Sequence, residues 1–232
     1  PLTTESSLPY PHPRSLYFAC DKVNGVDYWH DKPLALGQIR SASLSFEQKS
    51  PGEVIIENRC KWIHPDVESP FLDERVFSIR VHSDKLWTIS AQFTLLARIN
   101  VVVRKNNHSL FAMRVDPAIT PLYGGNLVNA NRGEGAEGTY GKPAAWCGFF
   151  GARVGSIVEG ITMMQHPKNP WPDCPWFTRD YGFASPTPLN FIEKPWELQR
   201  GQRVTFRYLV ALHAGSPFEA GMDQVYEQWA GA

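Results

Sequence analysis

Polar and apolar residues alternate with a period of two along much of this chain. The clearest case is 87–95, where every second residue from Trp87 to Leu95 is apolar and the residues between them are threonine, serine or glutamine. The same alternation occurs in four further segments, at 41–46, 54–62, 77–82 and 204–212. This pattern is typical of β-strands that bury one face, so it predicts at least five strands.

Turn-forming residues separate these segments. Pro-Gly, Ser-Asp-Lys and Asn-Asn follow the apolar runs and favour tight connections. Long strands with one polar face are typical of antiparallel sheets packed face to face, and not of a buried parallel sheet. The sequence therefore predicts an all-β fold, an antiparallel β-sandwich. Neither a repeat nor a linker divides the chain, so we expect a single domain over 1–232.

One segment, 218–229, has apolar residues at helical spacing near the C-terminus. Ser216 is a suitable N-cap, Pro217 suits the first helical position and Glu219 completes a capping box. Gly231 can end the helix. We therefore expect one C-terminal helix lying against the sandwich.

Composition narrows the classes of partner. The 232 residues are 43% hydrophobic and 12% aromatic, with 23 Lys and Arg against 23 Asp and Glu. Because like charges form no block, no nucleic-acid partner is expected. No apolar run reaches the roughly 20 residues of a membrane span, so no membrane partner is expected. The compartment and the oligomeric state stay open, with a soluble, cytoplasmic protein as the expectation.

Two motifs are weak signals for cofactors or metals. Segment 133–138 matches G-x-G-x-x-G, but no helical pattern follows it and its glutamates would repel phosphate, so we interpret it as a flexible loop. The four cysteines lack metal-ligand spacing, and we expect buried free thiols. They are Cys20, Cys60, Cys147 and Cys174. No cofactor and no metal is expected.

The densest chemistry lies in a proline-rich segment over 166–182. His166 begins it, and Asp180 follows after four prolines and several aromatic residues. Proline prevents a regular strand or helix, so a rigid loop that displays these side chains is predicted. Imidazole suits acid–base work. The faces of Trp146, Trp171 and Trp176 could bind the apolar faces of sugar rings, or these side chains could belong to the core.

Two earlier segments carry further candidates. His12 and Arg14 lie in an extended, proline-flanked stretch before the first strand. Asn-Gly within 23–30 predicts a tight turn. Three residues that follow that turn are either site residues or ordinary residues at the edge of a sheet: Asp27, Trp29 and His30.

These segments together resemble a known family. Pro-Arg-Ser-Leu-Tyr-Phe-Ala, Val-Asn-Gly-Val-Asp-Tyr-Trp, the stretch 126–146, His-Pro-x-Asn-Pro and Trp-Phe-x-Arg-Asp-Tyr-Gly occur in the order of the family labelled "methane oxygenase PmoA", a domain of unknown function. The resemblance implies a β-supersandwich like that of the galactose-mutarotase superfamily, often associated with sugar catabolism. The label implies a copper membrane monooxygenase, which the lack of a membrane-spanning run does not favour. The resemblance also implies that the preceding strand region is missing.

The family motif selects six residues of this chain as site residues. They are His12, Arg14, His166, Arg179, Asp180 and Tyr181. Family members commonly have two adjacent histidines before the arginine, and here Pro13 takes the second position. This departure leaves two alternatives. Either the second imidazole is dispensable, or this member of the family has lost part of an activity.

The leading hypothesis is a carbohydrate-active enzyme that moves a proton on a sugar or an oxidised sugar, as an epimerase, lyase or hydrolase. His166 and His12 are the predicted acid–base pair, and Asp180 orients His166. Arg14 and Arg179 bind hydroxyls, a carboxylate or an oxyanion. Tyr181, Trp146 and Trp176 complete the predicted substrate-binding set. One alternative is a non-catalytic glycan-binding module for an oligosaccharide or a small molecule. The other is a structural domain in which Arg179 pairs with Asp180 and no cleft exists.

Overall fold

The computed structural model describes residues 2–3, 14–30 and 36–231. The strands in this part of the chain are β1 (Leu16–Cys20), β2 (Gln38–Ser50), β3 (Glu53–Ile63), β4 (Phe71–Ser83), β5 (Leu86–Ala97), β6 (Val101–Val103), β7 (Ser109–Arg114), β8 (Asn126–Asn129), β9 (Trp146–Val154), β10 (Ile157–Gln165), β11 (Trp176–Arg179), β12 (Phe183–Pro186), β13 (Trp196–Leu198) and β14 (Arg203–Ala214). The helices are α1 (Gly135–Thr139) and α2 (Met222–Ala230). Short 3-10 turns lie at Pro117–Ile119, Pro121–Tyr123 and Pro188–Asn190.

The strands form two main antiparallel sheets. The large sheet has the order β2-β3-β4-β5-β14-β10-β9-β8, and the small sheet has the order β1-β7-β12-β11. A two-stranded sheet pairs β13 with β6. The predicted antiparallel β-sandwich with a C-terminal helix is therefore confirmed.

The main core lies between the two sheets. Phe93 and Tyr208 of the large sheet belong to one buried cluster with Phe18 and Phe111 of the small sheet. Phe18 stacks on Phe93 with ring centroids 4.1 Å apart, and Phe111 lies 5.1 Å from Tyr208. The period-two alternation thus places every second residue of these strands in the space between the sheets.

The opposite face of the large sheet is covered by α2. Leu209 of β14 and Met164 of β10 pack there with Trp146 and with Met222 of the helix. Because neighbouring residues of a strand point to opposite faces, Leu209 faces α2 while Tyr208 faces the small sheet. This division decides where the predicted site residues lie.

The outer part of the large sheet extends beyond this cover. The alternation over 41–46 predicts a buried apolar face, but Leu44 is 65% exposed and Phe46 is 80% exposed. Neither residue belongs to the main core between the two sheets. Periodicity therefore identified the strand correctly but not its burial.

The C-terminal helix begins later than expected. The backbone N–H of Ser216 donates to Glu219 Oε2 at 2.9 Å, and the N–H of Glu219 donates back to Ser216 Oγ at 3.3 Å. This capping box closes a turn, but Gly221 at φ +69° interrupts the chain before α2 starts at Met222. The predicted end at Gly231 is confirmed. Neither described helix has the length and apolar composition needed to cross a membrane.

The cysteines are buried and free, as the sequence predicts. Burial raises the pKa of the Cys147 thiol, and it has the same effect on Cys20, Cys60 and Cys174. A thiol whose pKa is raised stays protonated at neutral pH and is a poor nucleophile. The four cysteines therefore belong to the packing of the sandwich.

Candidate functional site

His166 follows β10 on the face of the large sheet that α2 covers. It is 4% exposed, and its ring lies nearly perpendicular to the Trp229 ring at a centroid distance of 4.8 Å. Its Nδ1 accepts a hydrogen bond from the backbone N–H of Lys168 at 3.0 Å. Burial lowers the pKa of His166, and the charges of Lys168 and Arg207 lower it further. The imidazole is therefore packed in its neutral form beneath the helix.

Asp180 holds a neighbouring segment of the chain. It lies in the turn between β11 and β12, and its Oδ1 accepts a hydrogen bond from the backbone N–H of Ala136 at 2.7 Å. Ala136 lies in the first turn of α1, where a carboxylate satisfies a backbone donor that the helix leaves unpaired. The glycine-rich segment 133–138, expected to be a flexible loop, thus contributes to a five-residue helix anchored by Asp180.

Arg179 lies against aromatic rings. Its guanidinium is 4.2 Å from the ring centroid of Phe177 and 4.6 Å from that of Tyr140. It also donates to the carbonyl oxygen of Thr178 at 3.1 Å. Within the described residues it forms no ion pair with Asp180. The internal brace expected of a purely structural domain is therefore not seen here.

Tyr181 packs against a buried cation. The Arg114 guanidinium lies 4.3 Å from the Tyr181 ring centroid, and Arg114 is 0% exposed. Burial lowers the pKa of Arg114. Burial also raises the pKa of Tyr17, and the nearby charge of Tyr181 raises it further. Tyr181 therefore forms part of the packing on the outer face of the small sheet.

Trp146 and Trp176 are both 0% exposed. The Trp146 Nε1 donates to Asp223 of α2 at 2.9 Å, and the Trp176 Nε1 donates to the carbonyl oxygen of Ala144 at 2.9 Å. With their polar atoms satisfied and their rings enclosed, neither indole presents a face to a sugar. The geometry matches the core alternative for these two residues and not the binding-platform alternative.

The structure does not bring His166 and Asp180 together. His166 faces α2 on one side of the large sheet, whereas Asp180 belongs to the small sheet, which covers the other side. Groups that exchange a proton must lie within hydrogen-bond reach of each other or of one substrate. His12 lies outside the described residues, so its pairing with His166 stays a prediction.

A cleft opens where β1 meets β2, β3 and β4 at the open edge of the sandwich. We call it the edge cleft; its volume is about 530 Å³. Residues 16–19 and 28–30 line it on the side of the small sheet, and residues 37–41 with Asn58 and Arg75 line it on the side of the large sheet. Of the predicted catalytic and substrate-binding set, Arg14 is the residue in the described part of the chain that lines this cleft.

His30, which lines the edge cleft, forms a hydrogen-bonded pair with Asp27 behind it. The distance from Asp27 Oδ2 to His30 Nδ1 is 2.7 Å. Asp27 Oδ1 accepts hydrogen bonds from the backbone N–H groups of Trp29 at 2.7 Å and of His30 at 3.1 Å. The His30 ring also lies edge-on to His108 at a centroid distance of 4.9 Å. Both the carboxylate and the imidazole are therefore held in defined orientations.

The turn before this pair has the conformation that the sequence predicts. Asn24 and Gly25 have φ values of +49° and +84°, and Val23 and Val26 exchange backbone hydrogen bonds of 3.0 Å. Positive φ at both central residues is the geometry that favours Asn-Gly in tight hairpins. The turn directs the chain towards the cleft wall at 28–30.

Two cleft-wall residues carry buried donors without an acceptor. Within the described part of the chain, the Tyr17 hydroxyl and the Trp29 Nε1 have no hydrogen-bond partner. The two rings contact each other, with centroids 4.7 Å apart. An unsatisfied buried donor costs about 1–3 kcal/mol, so such atoms often mark a place where a ligand supplies the missing partner.

The described residues contain no group of three or more His, Cys, Asp and Glu side chains arranged to hold a metal ion.

The sequence alone did not decide whether Asp27 and His30 belong to a site, because residues after an Asn-Gly turn are usually ordinary residues at the edge of a sheet. The Asp-x-x-His spacing was the available signal. Its significance depends on the cleft, which only the packing of the two sheets creates.

The fold and the site define an antiparallel β-sandwich with a polar cleft at one open edge and, in the wall of that cleft, a histidine held by an aspartate. The sequence model of a protein family, described as "Family of unknown function (DUF6807)", matches residues 1–227. The chain therefore belongs to this family. The match does not carry the methane oxygenase label, which stays a prediction.

Two solved structures illustrate a distant similarity to this chain. One, described as a putative kojibiose phosphorylase from the human microbiome, has a TM-score of 0.37 and 9% identity over 83% of this chain. This chain spans 24% of that protein. Another, described as a putative aldose 1-epimerase from Escherichia coli K12, has a TM-score of 0.33 and 12% identity over 87% of this chain and 84% of its own. These TM-scores are too low to support a functional argument. No curated protein sequence matches the chain.

Proposed function

We propose that this protein is a carbohydrate-active enzyme that binds a sugar or an oxidised sugar in the edge cleft and moves a proton on it with His30. The proposal rests on His30, which lines the cleft, and on the 2.7 Å hydrogen bond that Asp27 forms with its Nδ1 atom. A carboxylate on one imidazole nitrogen fixes the orientation of the ring and stabilises the imidazolium that forms when the ring takes up a proton.

In this proposal His30 and Asp27 take the roles that the sequence predicted for His166 and Asp180. Asp27 holds Nδ1, and the proposal assigns the proton exchange with the substrate to Nε2. Imidazole is the most frequent general acid or base in enzymes, and such transfer contributes about 10²- to 10⁴-fold to the rate. Epimerase, lyase and hydrolase reactions on sugars all require the transfer of a proton. The methane oxygenase label plays no part in the proposal.

The rest of the cleft offers groups that suit a polyhydroxylated ligand. Ser41 Oγ donates to Asn58 Oδ1 at 2.8 Å, so a hydroxyl and an amide lie side by side in the wall. Both groups can donate hydrogen bonds to sugar hydroxyls and accept hydrogen bonds from them. Tyr17 and Trp29, whose buried donors have no partner among the described residues, line the opposite wall. Arg14 adds a cation at the start of β1.

The test is a substrate panel followed by nuclear magnetic resonance in deuterated water. The panel contains neutral aldoses, uronic acids and their methyl glycosides, so that exchange of carbon-bound hydrogen, epimers, unsaturated products and cleaved glycosides are all visible. With the substrate that the wild type converts, His30→Gln should lower the rate about 10²- to 10⁴-fold, because the acid–base group is lost. Affinity for the substrate should change little.

His166→Gln is the matched control, because it removes an imidazole on the opposite side of the large sheet. This variant should keep the wild-type rate once it is corrected for the folded fraction. The proposal fails if His30→Gln turns over normally, and a loss of turnover in His166→Gln would then place the reaction at His166. Binding by the wild type without conversion of any panel member supports the non-catalytic glycan-binding alternative instead.

A further inference from the structure

The floor of the edge cleft holds a charged pair that the proposed reaction does not use. Arg75 of β4 donates from Nε to Asp73 Oδ1 at 3.1 Å and from Nη2 to Asp73 Oδ2 at 2.6 Å. Trp62 Nε1 donates to the same Asp73 oxygen at 2.9 Å. The Asp73 side chain is 0% exposed, whereas the Arg75 side chain keeps 12% exposure and lines the cleft.

The Arg75 guanidinium is held rigidly. It lies 5.4 Å from the Phe18 ring centroid and 5.5 Å from the Phe93 ring centroid, in addition to its two bonds to Asp73. A buried ion pair between packed sheets is expensive, and apolar residues of similar volume are often as stable or more stable. Stability alone therefore gives little reason for a charged pair at this position.

The bonds to Asp73 leave part of the guanidinium unused. They occupy Nε and Nη2, and within the described residues no acceptor meets Nη1. Guanidinium groups bind carboxylates through parallel N–H donors, so the remaining donors of a fixed arginine suit a planar anion.

The charge of the surroundings supports an anion. No Asp or Glu is among the described residues that line the edge cleft, whereas Arg14, Arg40 and Arg75 are among them. Asp27 and Asp73 bond to the lining residues His30 and Arg75, so each is already engaged by hydrogen bonds within the protein. The chain as a whole has a formal net charge of +0, so the cationic lining is a local feature.

We infer that the edge cleft selects a sugar acid and that Arg75 binds its carboxylate at the floor of the cleft. The inference rests on the proposed binding of a carbohydrate in this cleft, and it narrows the substrate class from sugars in general to uronic or aldonic acids. Arg75 is then a specificity-determining residue that contacts the substrate, while His30 acts at another position of the same ligand.

The first test compares ligands on the wild-type protein. Titration calorimetry measures Kd for D-galacturonate and D-glucuronate, for the corresponding uronamides, and for galactose and glucose. The amide keeps the shape of the acid but removes its charge. A hydrogen bond to a charged group favours the acid by about 10- to 100-fold in Kd. Equal affinity for acid and amide, or no binding of either, overturns the inference.

The second test changes the protein. Arg75→Lys keeps a positive charge beside Asp73 but loses the fork of donors, and Arg75→Gln with Asp73→Asn removes both charges so that no buried carboxylate is left alone. Both variants should bring the acid-to-amide ratio close to one. Arg59→Gln is the control, because Arg59 pairs with Glu74 on the same sheet at 75% side-chain exposure and does not line the cleft. An acid preference that survives loss of Arg75 overturns the inference.

The two proposals can fail separately. If His30→Gln turns over normally but the acid preference depends on Arg75, the catalytic role of His30 is wrong and the specificity role of Arg75 stands. If His30→Gln loses turnover and Arg75→Lys keeps the acid preference, the catalytic role of His30 stands and the specificity role of Arg75 is wrong. Thermal unfolding of each variant identifies any that fail to fold.

Discussion

Replacing Trp176 by alanine should destabilise the protein by about 3–5 kcal/mol, as for other large aromatic residues in protein cores. Trp176 is 0% exposed and belongs to the main core between the sheets, so alanine leaves a large cavity there. The Trp176 Nε1 also donates to the carbonyl oxygen of Ala144 at 2.9 Å, and alanine leaves this acceptor unpaired. Urea unfolding followed by circular dichroism measures the loss.

The control for this prediction is Trp87→Ala. Trp87 is 48% exposed, so removing it should change the free energy of unfolding by less than about 1 kcal/mol. Trp176→Phe separates the two contributions, since it keeps an aromatic ring and loses the hydrogen bond. If Trp176→Ala keeps the stability of the wild type and loses only sugar binding, then the Trp176 ring is a binding platform and is not packed in the main core.

The second large effect is a loss of stability in mild acid that depends on His213. This residue is 4% exposed on β14. Its Nδ1 donates to the carbonyl oxygen of Gly215 at 3.1 Å, and its Nε2 accepts from the Thr162 hydroxyl at 2.9 Å. Burial lowers the pKa of His213 from 6.5 to about 4, although hydrogen bonds to the backbone of Gly215 and Ala214 oppose the shift.

The sign of the pH dependence follows from where the proton binds. Below pH 6.5 the unfolded chain protonates His213, while the folded protein resists protonation down to about pH 4. The unfolded state therefore binds more protons in this window, so stability falls as the pH falls. The loss contributed by His213 is about 3 kcal/mol over the whole window, and it is absent above pH 6.5.

Urea unfolding at several pH values between 7 and 4 tests this prediction. His213→Gln should be less stable than the wild type at pH 7, because it alters two hydrogen bonds, but its stability should fall less steeply with acid. His166 also has a lowered pKa, so His166→Gln provides a second comparison with the same sign. Parallel pH profiles of the wild type and His213→Gln would falsify the assignment.

The alternation of polar and apolar residues was sufficient to predict five strands of the large sheet and their antiparallel arrangement, because a period of two directly reflects the geometry of a strand. It did not reveal the exposure of Leu44 and Phe46, because exposure depends on how far the second sheet reaches. The helix start was predicted too early for a similar reason. The capping box at Ser216 forms as expected, but the positive φ of Gly221 is set by the path of the chain onto the sheet.

The candidate site was harder to predict than the fold. Residue types in 166–182 suggested one loop with converging side chains, yet His166 and Asp180 are separated by the large sheet. Strand parity places His166 on the same face as Met164, but the sequence does not show that α2 covers this face. The pairing of Asp27 with His30 was visible as a spacing, and the cleft beside it depends on contacts between residues distant in sequence.

The most direct test of the central claim is to locate the bound sugar acid. Backbone amide chemical shifts of the isotope-labelled wild-type protein, recorded during titration with D-galacturonate, report which residues contact or adjoin the ligand. We expect the largest changes at 16–19, 28–30 and 58–60 and at Arg75, all at the edge cleft. Changes confined to 164–169 and to α2 would place the site around His166 and would show that the edge cleft is not where the sugar acid binds.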